Sequence, residues 1–121
     1  MSNIISDWKW RTIHETVKES NLAVLLYIYN NNNLDYNAKG GEYNRTVLHE
    51  AAEQDKQEIA GYLIQHGAEV NTKSDNGDTP LLLAAYNTSV DLAKLLIEQG
   101  VGYGDLHISP MAWTSHVKQI M

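Results

Sequence analysis

The feature that most constrains this chain is a segment written twice at a spacing of 33 residues. Thr46-Val47-Leu48-His49-Glu50-Ala51-Ala52 returns as Thr79-Pro80-Leu81-Leu82-Leu83-Ala84-Ala85, and the stretch from Ile59 to Gly67 returns as Leu92 to Gly100. A constant period of this size means one supersecondary unit stacked on itself, because a single unit cannot bury its apolar face alone. Each unit reads as a helix pair. Thr79 is placed to cap the first helix, and Pro80 to occupy its first turn, where the absent N–H costs nothing. Gly67 and Gly100 are placed to end the second helix in a left-handed C′ conformation. Paired alanines at 51/52 and 84/85 give the first helix a flat face that a neighbouring backbone can approach closely. The pattern predicts an all-α solenoid of antiparallel helix pairs with short turn tips and no continuous sheet. Helices are expected over 7–20, 22–31, 46–54, 57–66, 79–86, 90–99 and 109–119.

At these residues the chain closely resembles the ankyrin repeat. The signature of that family is a turn, Thr-Pro-Leu-His-x-Ala-Ala, then Glu-Ile-Val-x-Leu-Leu-x-x-Gly-Ala-Asp-Val-Asn. Here it stands as Thr46 to Ala52, as Glu58-Ile59-Ala60-Gly61-Tyr62-Leu63-Ile64-Gln65-His66-Gly67-Ala68-Glu69-Val70-Asn71, and as Asp75-Asn76-Gly77-Asp78-Thr79-Pro80-Leu81. The departures are local: Val47 for proline, Leu82 for histidine, Asn44 for the turn glycine, and Val101-Gly102-Tyr103 for Ala-Asp-Val. The resemblance implies a non-catalytic protein-binding module that uses the turn tips and the exposed side of the first helix. It nominates Glu42, Tyr43, Arg45, Glu53 and Gln54 from one repeat, and Asp75, Asn76, Asp78, Tyr86 and Asn87 from the next. Tyr43 and Tyr86 stand out physically, since an amphipathic ring on a rigid platform supplies contact area at low entropic cost. Asn76-Gly77 is expected to form a type I′ turn, with Gly40–Arg45 at the same place one repeat earlier. The resemblance also assigns His49 to the turn backbone and a threonine hydroxyl.

A length of 121 residues supports one domain. Its expected parts are an N-terminal capping repeat over 7–37, repeats over 38–72 and 73–104, and a C-terminal half-repeat over 105–121. In the first part, Trp10, Ile13, His14 and Val17 recur at helical spacing, and Leu22 to Tyr29 reads as a second helix packed on more than one side. Aligning His14-Glu15 with His49-Glu50 needs a step of 35 residues, so the connection through Asn30-Asn31-Asn32-Asn33 absorbs the extra length. Asparagine tolerates left-handed backbone and ends a helix well. Lys9, Arg11, Glu15, Lys18 and Glu19 suit a cap whose outer face meets water. In the last part, Ser109-Pro110-Met111-Ala112-Trp113 starts the pattern again, and Met111, Trp113, Val117 and Ile120 are expected to pack rather than to bind.

Composition narrows the function. No stretch approaches the ~20 apolar residues of a membrane span, and the N-terminus lacks the basic region and long apolar core of a secretion signal. With no cysteine present, disulfides and cysteine zinc sites are absent, so a cytoplasmic location is expected. Asn44-Arg45-Thr46 and Asn87-Thr88-Ser89 match the glycosylation sequon and are taken as structural. A net charge of −6 disfavours nucleic acid and anionic membrane as partners. Between Asp35 and Asp78, nine acidic residues oppose four basic ones, so this region carries −5 of the −6. The expected partner is therefore a protein with a basic surface, such as a toxin or nuclease, met by a chain that is monomeric when free. His14-Glu15 and His49-Glu50 begin like a zinc-peptidase motif, but Lys18 and Glu53 stand where its second histidine belongs. Glu50/Glu53 and Asp75/Asp78 are expected on solvated surfaces. No catalytic residue, cofactor or metal is expected. The sharpest reading is a small inhibitor or immunity-type protein, with a general adaptor as the alternative.

Overall fold

The computed structural model describes residues 4–99. The expected helix over 109–119, the half-repeat over 105–121 and the C′ role of Gly100 lie outside the described residues. Among the described residues six helices follow one another: α1 (Asp7–Lys18), α2 (Leu22–Asn31), α3 (Val47–Glu53), α4 (Gln57–Gln65), α5 (Pro80–Tyr86) and α6 (Val90–Glu98). They form three pairs, and the first helices stack in a row, α1 on α3 on α5, while α4 lies on α6.

The caps account for the boundaries. The Thr46 hydroxyl accepts from His49 N–H, and the His49 ring returns a bond to the Thr46 backbone, a capping box in which histidine takes the place of the usual glutamate. Thr79 accepts from Leu82 N–H with Pro80 in the first turn. Asn21 caps α2 through Val24 N–H at 3.2 Å. At the other ends the chain repeatedly turns left-handed. Ser20, Asn33, Asp55, Gly67 and Thr88 all have positive φ, and each is followed by an N–H that reaches back five residues, as in Ala68 to the Leu63 carbonyl at 2.9 Å. This is the Schellman arrangement, expected at Gly67 and at the asparagine run and found at three further places without glycine or asparagine.

One apolar core runs through the described repeats. Ile13, Val17 and Leu25 from the first pair, Val47, Leu48, Ala51, Ala52, Ile59, Ala60 and Leu63 from the second, and Ala84, Leu92, Ala93 and Leu96 from the third are essentially inaccessible. The alanines at 51, 52 and 84 let α3 and α5 approach closely, as their spacing implied.

A short sheet joins the first two repeats, which the helical pattern did not foresee. Strand β1 (Ile4–Ile5) pairs in parallel with β2 (Lys39–Gly40), matching Ile4 to Lys39 and Ile5 to Gly40. That register is a step of 35 residues, the same step that aligns His14 with His49. Where the second repeat then makes a turn tip, the first begins α1 early. Trp10 lies over the backbone of Gly40 and Gly41, so close that a Cβ on Gly41 would run into its ring nitrogen.

Candidate protein-binding surface

The turn tips are built by backbone bonds closing on themselves and then on each other. Gly40 and Arg45 exchange two backbone bonds of 2.9 Å around the loop 41–44. In the next repeat Ser74 N–H donates to the Asp78 carbonyl and Gly77 N–H to the Ser74 carbonyl, both at 2.9 Å. Of its central residues only Gly77 has positive φ, so this is not the type I′ turn expected from Asn76-Gly77. The Ser74 side chain explains the difference: its hydroxyl bonds to Asn76 Oδ1 and accepts from Asp78 N–H, which closes the loop without a left-handed Asn76. Asn44 is left-handed at the position equivalent to Gly77.

Adjacent tips are tied together. Asp75 N–H donates to the Tyr43 carbonyl at 2.7 Å, and Asn44 Nδ2 donates to Asp75 Oδ2 at 2.8 Å. Behind them, Thr46 N–H donates to His49 Nδ1 at 3.0 Å, which leaves the proton on Nε2 to donate to the Asp78 carbonyl at 2.9 Å. Burial lowers the His49 pKa, so the ring stays neutral and both nitrogens are spent on structure.

Of the ten nominated residues, Glu42, Tyr43, Asp75, Asn76, Tyr86 and Asn87 are exposed, with Tyr86 at 68%. The other four are half-buried and committed to internal contacts. Arg45 is ion-paired with Glu53 and stands over the Tyr43 ring at 5.6 Å. Gln54 turns inward to Glu50 Oε2 at 3.2 Å, and Asp78 offers its carbonyl to His49.

Glu50 corrects the expectation of a solvated carboxylate. Only 3% of it is exposed, and it accepts from His14 Nδ1 at 2.6 Å across the junction between the first two repeats. Recurrence of His-Glu at 14/15 and 49/50 hid this, because the pair that forms is His14 with Glu50, from different repeats. Sequence reasoning also passed over Trp8, which is 64% exposed at the start of α1 and corresponds to Tyr43 when the 35-residue step of the short sheet is continued. The signal was available in that step.

A family model for three copies of the ankyrin repeat matches residues 8–107. The chain belongs to the ankyrin-repeat family. It is similar to the human transient receptor potential cation channel subfamily A member 1, at 40% identity over 55 residues, which are 46% of this chain and 5% of that protein. It is also similar to a putative ankyrin repeat protein of Rickettsia bellii (strain RML369-C), at 31% identity over 80 residues, or 65% of this chain and 12% of that one. The chain therefore spans a small part of the length of these relatives. As an ankyrin-repeat protein it is a protein–protein interaction module of a generally non-catalytic family.

The ankyrin histidine at 49 behaves as the resemblance implied, bonding to threonine and to the turn of the next repeat. No group of three or more His, Asp or Glu residues that could hold a metal occurs among the described residues. His66 is likewise occupied, its Nδ1 donating to the Tyr62 carbonyl at 2.8 Å while its ring stacks on Tyr62. Among the described residues no helix is long and apolar enough to cross a membrane.

Proposed function

We propose that this ankyrin-repeat chain is a small inhibitor of the immunity type, which occludes a basic surface on a cytoplasmic protein. The observation that carries the reading is the pair of tips joined through Asp75, Tyr43 and Asn44, which presents Glu42, Tyr43 and Asp75 together on a rigid edge. Pre-organisation lowers the entropic cost of binding, and a partly exposed tyrosine beside carboxylates suits a partner rich in arginine and lysine. The excess of acidic residues between 35 and 78 would steer such a partner from solution. A toxin or nuclease fits this chemistry, because both nucleic-acid binding and neutralisation by this edge call for a basic patch.

The test starts from a partner recovered with the native chain and purified. Tyr43→Ala is expected to weaken binding by about 1–3 kcal/mol, and Asp75→Lys with Asp78→Lys to slow association, with the on-rate of the native pair falling as salt rises. Stoichiometric loss of the partner's activity on binding would mark inhibition. An affinity that survives both changes in folded variants would move the site away from the tips, and a partner that stays fully active would replace inhibition by tethering.

A further inference from the structure

Helix α2 carries no charged side chain, yet the other described helices cover only one side of it. Between Asn21 and Leu34 there is no acidic, basic or histidine side chain. Leu25 and Tyr29 point into the core, whereas Ala23, Val24, Tyr27, Asn30 and Asn31 are exposed and fall on one side of the helix by their spacing. Val24 is 42% exposed and Tyr27 65%. The expected helix packed on more than one side is thus packed on one. The charged residues expected to make the first repeat's surface polar lie on α1 and at its C-cap, and none lies on α2.

We infer that this face of α2 is a self-association surface, on which a second copy of the chain packs by the same face about a two-fold axis. Charge selects that occupant. Residues 4–34 contain Asp7, Glu15 and Glu19 against Lys9, Arg11 and Lys18, a balance of zero, while the region 35–78 carries −5. Two copies meeting through their second and third repeats would oppose like charges, whereas two α2 faces meet without a charge to bury or repel. A basic partner, the kind suited to the turn tips, finds nothing on α2 to pair with. The chemistry of the face is also self-complementary. Exposed asparagine amides donate and accept at once, Ala23 allows close helix approach, and Val24 and Tyr27 supply apolar area to both sides of an isologous contact. One helix face is small beside a standard interface, so the association is weak, with a Kd on the order of 100 µM. The free monomer expected from the sequence is then the dilute state.

Because the chain contains no cysteine, a single introduced thiol reports the contact without background. Sedimentation velocity of the native protein from about 10 µM to 1 mM is expected to show a rising dimer fraction, and raising the salt should leave it unchanged or increase it. Val24→Glu and Tyr27→Glu should each abolish the dimer with the helical circular dichroism unchanged. Under mild oxidation Tyr27→Cys should give several-fold more covalent dimer than Tyr86→Cys, whose site is equally exposed but on α5. Should either Glu variant unfold, the Cys pair still decides the matter. A native protein that stays monomeric throughout overturns the inference. So does a dimer that persists in folded Tyr27→Glu, or equal crosslinking at the two positions.

Discussion

The two junctions between the three helix pairs are built from different materials. Between the second and third pairs, alanine faces let α3 and α5 close up, and the backbone carries the link: His49 to the Asp78 carbonyl, Asp75 N–H to the Tyr43 carbonyl. Between the first and second pairs, the short pairing of β1 with β2 is the backbone link, and side chains add the rest: His14 to the buried Glu50, Gln54 to the same carboxylate, and Trp10 laid over Gly40 and Gly41. The first arrangement depends on a regular step of 33 residues, which brings each turn to the same height as its neighbour. The second joins units 35 residues apart, where α1 begins in place of a turn tip and an indole and a His14–Glu50 hydrogen bond make the contact. A repeat protein can therefore keep one stacking direction while adding particular side chains to a short backbone pairing at an irregular step.

The largest effect should come from the middle repeat, whose first helix belongs to both junctions. Leu48 is wholly buried in the middle repeat, whereas its counterpart Leu81 is only partly so. Leu48→Ala is expected to cost roughly 2–5 kcal/mol and Leu81→Ala less, measured by urea unfolding. Equal losses would show that the middle repeat is no better packed than the third.

The irregular junction can be broken next. Gly41→Ala places a methyl on a left-handed residue (φ 78°) and into the Trp10 ring, so a loss of about 1–3 kcal/mol is expected, together with a change in tryptophan fluorescence. The same substitution at Gly61, which has open space around it, should be far milder and helps the helix. If the two variants behaved alike, the Trp10–glycine contact would not be what holds the first repeat.

The regular junction has a smaller, pH-dependent signature. His49 is held neutral chiefly by burial, so its folded pKa lies below the ordinary value of about 6.5. A depressed pKa means that the unfolded chain takes up the proton first. Stability from this group is thus complete above about pH 6.5 and is lost as pH falls through the lower, folded value. Replacing His49 with glutamine should lower stability at pH 7.5 and flatten its decline towards pH 5. An unchanged slope would show that the His49 link does not titrate with the junction.

Most of the fold was legible in the order of residues. The 33-residue recurrence gave the second and third pairs, helical spacing gave the first, the threonine caps gave α3 and α5 their starts to within a residue, and Gly67 marked the end of α4. Such signals are local, since a cap or a left-handed stop is decided by atoms a few positions away. Exposed Tyr43 and Tyr86 were legible for the same reason, as neither position needs a ring for folding.

Other features were settled by side-chain bonds and packing that no repeat period names. Glu50 has the sequence context of a surface carboxylate, and its burial depends on where the first repeat sets His14. Arg45, Glu53 and Gln54 were nominated from their repeat positions, but their side chains were taken up by neighbours that no periodicity names. The turn at Asn76-Gly77 departed from its expected type because the Ser74 hydroxyl supplied a bond that pair statistics do not contain. The apolar run of α2 likewise had the composition of a helix enclosed on several sides. The other described elements cover only one side of it, since composition sets how much apolar area a helix carries and only the arrangement of the other elements decides how much of it is covered.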